Sequence, residues 1–265
     1  MKEKLRIGIL ISGGGTNMQA IVNACRDGLV DADVVFVGAD NPDAGGLVWA
    51  RGQEIPTFVV DYRVFRDNLK HACLSNDYSN SDLVQAVFEK SVYVHELFNG
   101  DKEKQLEHIC WKVVAETELL MKIREAKIDL LVLAGFMQIC TSYLIDNMNQ
   151  GDDMRIMNIH PALLPAFPGT DGYSDTFRHG CRVGGCTVHF VDYGEDSGPI
   201  IGQRTFPIYT GDTLDEVKKR GLQEEYLLFP ACIQLFAEKR LQVVKNDDGR
   251  KVVWIAEMHN HPNAI

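Results

Sequence analysis

The sequence lacks the features of several specialised protein classes. Its 265 residues contain no run of about 20 apolar residues, so no membrane-spanning helix is predicted. Lysine and arginine number 27 against 37 aspartates and glutamates, which leaves a net charge of −10. Nucleic acids and anionic membranes attract proteins through clustered basic residues, so we expect neither as a partner.

Cysteine is scarce and irregularly placed. The seven cysteines are odd in number, and no two have CxxC spacing. Neither a disulfide framework nor a structural zinc site is therefore predicted, and we expect a cytoplasmic protein that needs no metal.

What the sequence does contain is a succession of strand and helix patterns. The apolar run LRIGILI at 5–11 precedes a glycine turn and a helical pattern, and further strand patterns lie at 32–40, 57–60, 128–136 and 154–159. This alternation predicts an α/β fold with a mixed, mainly parallel sheet and helices on both faces. The segments GGCTVHFV and DSGPIIGQRTFPI predict an antiparallel strand pair in the C-terminal part.

Two further segments bear on the organisation of the chain. A long helix is predicted after Thr213, where Thr213 and Glu216 fit a capping box and Pro230 should kink or divide the helix. Residues 66–110 combine polar breaks with helical periodicity. We interpret residues 1–265 as one domain with a helical insertion at 66–110, either an elaborated surface, a lid or a homodimer contact, of which the surface role is favoured.

The glycine turn SGGGTN at 12–17 joins the first strand to a helix. Backbone N–H groups and the positive end of a helix dipole can receive a phosphate at such a turn. The turn lacks the Gly-Lys-Ser/Thr of a P-loop, and Met18 stands where a dinucleotide fingerprint needs glycine. The alternative is a tight turn that needs only glycine's freedom at positive φ.

The segment MNIHPALLPAFPG at 157–169 places an amide and an imidazole two residues apart. On an extended strand Asn158 and His160 face the same side, and Pro161 keeps His160 out of a helix. An amide can stabilise an oxyanion and a histidine can move a proton, so the pair suits acyl transfer. The alternative is a loop in which the asparagine caps and the histidine packs.

Taken in order, ISGGGTN, LAGFMQI, NIHPALLPAFPG, VHFVDYGEDSGPII and the GDT helix resemble the phosphoribosylglycinamide formyltransferases. The resemblance covers about residues 5–65 and 112–245. It implies a Rossmann-like formyltransferase fold and transfer of a formyl group from the cosubstrate 10-formyltetrahydrofolate to the amine of glycinamide ribonucleotide, a step of purine biosynthesis.

The resemblance also implies the roles of individual residues. It assigns catalysis to Asn158, His160 and Asp196. It assigns the phosphate and ribose of the acceptor substrate to Gly15, Thr16, Asn17, Lys112 and Glu225, and the folate to Met137, Gln138, Ile139 and Cys140. His189, on the alternating strand CTVHFV, is a further candidate for the folate pocket. Lys112 stands where the family has an arginine, and Arg63 or Arg66 are alternatives for this role. Gln138 also replaces a frequent arginine.

Other functions remain open from the sequence. A formyltetrahydrofolate hydrolase shares the Asn, His and Asp site but uses water as the acceptor, and other formyltransferases act on another amine. Methionyl-tRNA formyltransferase needs a basic face, which the acidic composition does not favour. Without the resemblance, Asp196 can be an ordinary turn residue and His189 a half-buried strand residue.

Overall fold

Seven strands form one sheet at the centre of the protein. The computed structural model describes residues 3–75, 81–149 and 151–257. The strands are β1 (Leu5–Ile11), β2 (Ala32–Ala39), β3 (Thr57–Val59), β4 (Leu130–Leu133), β5 (Ile156–His160), β6 (Val183–Phe190) and β7 (Ile200–Pro207). Their order across the sheet is β3-β2-β1-β4-β5-β6-β7. The first five pair in parallel, while β6 and β7 join antiparallel, which confirms the predicted fold class.

Eight helices and one 3₁₀ segment accompany the sheet in the described part of the chain. The helices are α1 (Thr16–Arg26), α2 (Gly45–Gly52), α3 (Tyr62–Ser75), α4 (Asp82–Lys90), α5 (Lys102–Ala126), α6 (Ser142–Met148), α7 (Gly172–Arg178) and α8 (Leu214–Ala237), and the 3₁₀ segment is Val92–Gly100. None of these helices combines the length and apolarity needed to cross a lipid bilayer.

Helices cover both faces of the sheet because the apolar residues of the strands alternate between them. Ile7, Ile9 and Ile11 of β1 are completely buried in a cluster with residues of α1, α2 and α8. Leu10 points to the opposite face and packs in a second cluster with residues of α5 and α6. The continuous apolar runs of the sequence thus correspond to strands buried on both sides.

The long C-terminal helix differs in one respect from its prediction. The capping box is present, since Thr213 Oγ1 accepts from the Glu216 N–H at 3.3 Å and the Glu216 carboxylate accepts from the Thr213 N–H at 2.7 Å. Pro230, however, does not divide the helix, which continues from Leu214 to Ala237 with Pro230 buried inside it. After it, β8 (Leu241–Lys245) and β9 (Lys251–Ile255) form a separate antiparallel hairpin that the sequence patterns did not predict.

The predicted insertion at 66–110 comprises most of α3, all of α4, the 3₁₀ segment and the start of α5, with 76–80 outside the described residues. Its apolar side chains form a third cluster, which includes Val87, Phe88 and Val94 and has Ile139 and Tyr143 packed against it. The segment is therefore helical and anchored to the loop after β4. Its status as an insertion within one domain stays a prediction.

Most of the cysteines whose side chains the structure describes are free thiols. Cys25, Cys140, Cys181, Cys186 and Cys232 are free, whereas Cys110 is disulfide-bonded. The irregular spacing of the cysteines in the sequence did not predict this bond.

Candidate active site

The loops that follow β1 and β4 are joined to each other at the carboxyl edge of the sheet. The Ser12 N–H donates to the Gly135 carbonyl at 2.9 Å, and the Ser12 hydroxyl accepts from the Met137 N–H at 2.8 Å. Gly135 adopts a φ of 77°, which a residue with a side chain rarely adopts. These bonds bring the glycine turn and the GFMQI segment to one place, where ligands of open α/β sheets bind.

A cavity of about 330 Å³ opens at this edge. Most of the residues predicted for the site line it, namely Asn17, Met137, Gln138, Ile139, Cys140, Asn158, His160, His189, Asp196 and Glu225. The structure thus brings together segments that lie up to 208 residues apart in the chain.

His160, the last residue of β5, is held at both ring nitrogens. Its side chain is 3% exposed, Nδ1 lies 3.0 Å from Oδ2 of Asp196, and Nε2 lies 2.7 Å from the carbonyl oxygen of Phe167. Two acceptors facing two nitrogens favour the doubly protonated imidazolium. Sequence reasoning did not identify Phe167, because a backbone contact across the proline loop leaves no mark in residue types.

The electrostatics of the pair follow from these contacts. Burial alone lowers the pKa of His160, but the hydrogen bond and charge of Asp196 and the Phe167 carbonyl outweigh it, so the pKa of His160 lies above its ordinary value. Burial raises the pKa of Asp196, yet the hydrogen bonds from His160 and His189 together with the His160 charge hold it well below its usual range. Asp196 is therefore a carboxylate at neutral pH.

Asn158 and His189 are directly opposite each other on β5 and β6. The Asn158 amide nitrogen lies 3.3 Å from His189 Nε2 and 3.5 Å from Asp196 Oδ1. His189 Nδ1 lies 2.9 Å from the Phe190 carbonyl, and His189 Nε2 faces both the Asn158 amide and, at 3.6 Å, Oδ1 of Asp196. These contacts orient the amide through long, weak bonds that a stronger acceptor can replace.

Asp196 lies in a loop whose geometry is unusual for a residue with a side chain. Its φ is 49°, and its Oδ2 accepts from the Gly169 N–H at 2.9 Å in addition to facing His160. The carboxylate therefore connects the loop after β6 with the proline loop after β5.

At the start of α1, Asn17 lines the cavity, whereas Gly15 and Thr16 are not among its lining residues. Gly15 is the N-cap of α1 with a φ of 69°, and as a glycine it makes no side-chain cap bond to the first-turn N–H groups. Asn17 donates through Nδ2 to Glu225 at 2.6 Å, and its own Oδ1 is buried without a partner. Burial raises the pKa of Glu225, against the opposing hydrogen bonds from Asn17 and Tyr173.

Tyr173 lines this end of the cavity, although the sequence did not identify it. Its hydroxyl donates to Glu225, and its ring fills the space beside Gly221 of α8, where an added Cβ would lie 2.3 Å from the ring. The glycine in the middle of the long helix is the only trace of this contact in the sequence.

The basic residues proposed for the phosphate make other contacts. Lys112 is 3% exposed, does not line the cavity, and donates to the Ile139 carbonyl from below the loop. Arg63 pairs with Asp61 and Asp43, and Arg66 with Asp67, on the surface. No lysine or arginine is among the described residues that line the cavity. Lys112 does not reach the cavity because its position on α5 directs its side chain into the core.

Within the ranges that the structure describes, no group of three or more histidine, cysteine, aspartate or glutamate side chains is arranged to hold a metal ion. The prediction that the chemistry requires no metal remains a prediction. The arrangement of an oriented amide, an imidazolium and a carboxylate can stabilise an oxyanion and move a proton.

An open α/β sheet that gathers these three groups at its carboxyl edge defines an enzyme of the acyl-transfer class. The chain belongs to the formyl transferase family, whose sequence pattern matches residues 5–233.

Named relatives and a solved structure agree with this family. Phosphoribosylglycinamide formyltransferase of Haemophilus influenzae is 31% identical over 241 residues, which are 91% of each chain. The human trifunctional purine biosynthetic protein adenosine-3 is 29% identical over 97% of this chain, which spans 20% of that protein's length. The crystal structure of glycinamide ribonucleotide transformylase 1 from Symbiobacterium toebii superimposes with a TM-score of 0.71 at 32% identity, covering 97% of this chain and 96% of that chain.

We expect Asp196→Asn to lower the pKa of His160, because burial then acts without the opposing carboxylate charge. Two-dimensional NMR of the histidine ring protons over a pH series measures this shift. The matched control is Asp33→Asn, at the exposed start of β2 where Asp33 pairs with Lys4, which should leave the His160 titration unchanged. An unchanged His160 titration would contradict the proposed coupling.

The same pair contributes to stability with a definite pH dependence. Because the folded pKa of His160 is raised, its contribution is fully present below the unfolded value of about 6.5 and is lost as pH rises through the folded pKa. Asp196→Asn should therefore lower the free energy of unfolding less and less as the pH rises through the folded pKa of His160.

Proposed function

We propose that this chain transfers the formyl group of 10-formyltetrahydrofolate to the amine of glycinamide ribonucleotide, a step of purine biosynthesis. The observation that carries the proposal is one cavity with three distinct parts. Its lining includes Asn17 of the first turn of α1 together with Tyr173 and Glu225, the 135–140 segment, and the trio Asn158, His160 and Asp196. The named relatives support the choice of acceptor.

The acceptor is proposed to bind at the α1 end. A phosphate there receives hydrogen bonds from the N–H groups around Gly15, Thr16 and Asn17 and gains from the helix dipole. Glu225 is buried in the cavity wall and accepts hydrogen bonds, so it suits the ribose hydroxyls. In this proposal the backbone N–H groups bind the anion, which the acidic side chains of this protein cannot do.

The donor is proposed to bind at the other end, against residues 137–140. The Gln138 side chain donates to Asp40 at 2.8 Å, which leaves the backbone of this segment as its means of recognising the pterin. Ile139 and Cys140 line the cavity, and His189 borders it from β6. A backbone edge presents alternating donors and acceptors, as the pterin ring does.

The reaction joins the two substrates at Asn158. The amine nitrogen attacks the formyl carbon, a C–N bond forms, and the formyl oxygen takes the electron pair as an oxyanion. The Asn158 amide and the positive charge of His160 stabilise this oxyanion, and losing one such donor costs about 2.7–4 kcal/mol in the barrier. Collapse of the intermediate restores the carbonyl and breaks the bond to the folate nitrogen.

The proton released by the amine must reach the departing folate nitrogen. His160 is the group in the cavity that exchanges protons near neutral pH, and Asp196 holds its Nδ1 so that Nε2 is the exchanging nitrogen. A water molecule ordered by Asp196 can relay the proton between the substrates. For Nε2 to take part, it must leave the carbonyl of Phe167, so the proline loop belongs to the mechanism.

Several broader assignments are part of this proposal. Residues 1–265 form one formyltransferase domain with a helical insertion at 66–110, the protein acts in the cytoplasm, and it requires no metal, nucleic acid or membrane partner. A homodimer is compatible with the insertion as a contact surface.

The proposal is tested by incubating the purified protein with 10-formyltetrahydrofolate and, in parallel, glycinamide ribonucleotide, other small amines, or water alone. The expected result is a mass gain of one formyl group on glycinamide ribonucleotide and equimolar tetrahydrofolate. Release of formate at the same rate without an amine would identify a hydrolase instead. Formylation of a different amine in preference would correct the acceptor.

Replacing Asn158 by alanine should lower kcat by about 10²–10³-fold, because the oxyanion loses a hydrogen-bond donor while the binding sites of both substrates stay intact. Steady-state kinetics with both substrates measure the effect. The matched control is Asn23→Ala on the exposed side of α1, which should leave kcat unchanged. Equal activity of the two variants would show that Asn158 does not act in the reaction.

Glu225→Gln should raise KM for glycinamide ribonucleotide about tenfold and leave KM for the folate unchanged, because a charged acceptor is lost only at the α1 end. Glu224→Gln is the matched control, since the neighbouring Glu224 pairs with Arg204 at 2.6 Å and does not line the cavity. A rise in the folate KM instead would place the two substrates in the opposite orientation.

A further inference from the structure

Two charged residues of α5 are buried beneath the loop that lines the donor end of the cavity. Lys112 is 3% exposed and Glu116 is 0% exposed, and they lie one helical turn apart on the same side of the helix. Neither belongs to the residues that line the cavity. Their contacts with the loop therefore need an explanation other than substrate binding.

Each of the two residues holds one end of the same short segment. The Lys112 ammonium donates to the Ile139 carbonyl. Glu116 accepts from the Thr141 N–H at 2.8 Å and, through its other oxygen, from the Thr141 hydroxyl. Cys140, between these two attachment points, is buried and lines the cavity. The backbone from 139 to 141 is thus fixed from below on both sides of Cys140.

This arrangement is expensive in free energy. Burial lowers the pKa of Lys112 and raises that of Glu116, while the opposite charge of each partner counteracts the shift. The ammonium also lies 5.6 Å from the ring centre of Tyr93 and 6.0 Å from that of Trp111, within cation–π range. Apolar side chains of similar volume commonly stabilise a helix–loop contact as well or better, so packing alone does not account for this pair.

What the charges provide and apolar residues do not is a fixed position for particular backbone atoms. Hydrogen bonds to an ionised group are stronger and more directional than neutral ones, at about 1.5–3 kcal/mol each. The segment is also attached at its start, where Gln138 donates to Asp40 at 2.8 Å. A backbone edge that recognises a flat heterocycle must be rigid before the ligand arrives, because each ordering step reduces affinity.

We propose that Lys112 and Glu116 are positioning residues for the formyl donor, which fix residues 139–141 in the shape that receives the pterin. This inference rests on the proposed function. It assigns to Lys112 a role in binding the donor, through the loop, instead of direct contact with the acceptor's phosphate. The two roles predict changes in the Michaelis constants of different substrates.

Lys112→Met removes the ammonium and keeps the length of the side chain. We expect KM for 10-formyltetrahydrofolate to rise about tenfold or more, with KM for glycinamide ribonucleotide unchanged within about twofold, from the loss of one charged hydrogen bond. Glu116→Gln keeps one acceptor for Thr141 and should raise the folate KM less. A rise confined to the acceptor KM would overturn the proposal in favour of phosphate binding.

Gln234→Met is the control for a general loss of stability. The Gln234 side chain accepts from the Asp31 N–H at 2.8 Å just before β2, at the amino edge of the sheet opposite the cavity. Losing this bond should lower stability without changing either Michaelis constant. If this variant raised the folate KM as much as Lys112→Met at an equal loss of stability, the effect would be general loosening and the proposal would fail.

A second measurement does not depend on activity. Amide hydrogen exchange followed by mass spectrometry should show faster exchange in 138–142 in Lys112→Met, with residues 12–17 unchanged. If Lys112→Met fails to fold, the double variant Lys112→Met with Glu116→Gln leaves no unpaired buried charge and takes its place. Unchanged exchange at 138–142 would contradict the positioning role.

The two levels of inference fail in different ways. Absence of formyl transfer by the native protein would overturn the proposed function. Calorimetric measurement of tetrahydrofolate binding would still test the positioning role. The affinity should fall about tenfold in Lys112→Met and stay unchanged in Gln234→Met. Equal binding of tetrahydrofolate by native protein and Lys112→Met would overturn the further inference alone.

Discussion

The Asp196 carboxylate is the group on which the arrangement of the site depends. It faces His160 at 3.0 Å, accepts from the Gly169 N–H at 2.9 Å and lies 3.5 Å from the Asn158 amide. These partners come from a strand and from the proline loop, so one buried charge fixes the relative position of both. The cost of burying it is offset by the hydrogen bonds from His160 and the Gly169 N–H and by the His160 charge. Its depressed pKa expresses the same balance.

The prolines direct backbone groups of the loop after β5 toward this carboxylate and its histidine. They end β5 immediately after His160 and force the chain into a loop whose backbone returns to the site, where the Phe167 carbonyl meets Nε2 and the Gly169 N–H meets Asp196. A helix in this position would satisfy its own backbone groups and leave neither for the site. The imidazole is thus charged and oriented by backbone atoms as much as by its acidic partner.

The sequence predicted what periodicity and local chemistry control. The alternation of β1 and the spacing of Asn158 and His160 placed the sheet and the pair, and the alternating strand around His189 is consistent with its position opposite Asn158. The sequence did not predict contacts that depend on how distant helices pack. Tyr173 reaches Glu225 across α7 and α8, and Lys112 turns into the core because of the helix register against the β4 loop. The unbroken helix at Pro230 likewise depends on tertiary burial outweighing a local preference.

The two ends of the cavity differ in the charged groups around them, although the protein as a whole is acidic. At the α1 end, where the phosphate is proposed to bind, no lysine or arginine is among the described lining residues, and the N-cap Gly15 adds no side-chain cap bond. At the other end, buried charges of both signs lie behind the loop, where they act on its backbone and are hidden from the ligand. At residues 139–141, the side chains of Lys112 and Glu116 hold the main chain in place. Main-chain contacts of this kind leave no mark in residue types, which is why the sequence alone describes the site incompletely.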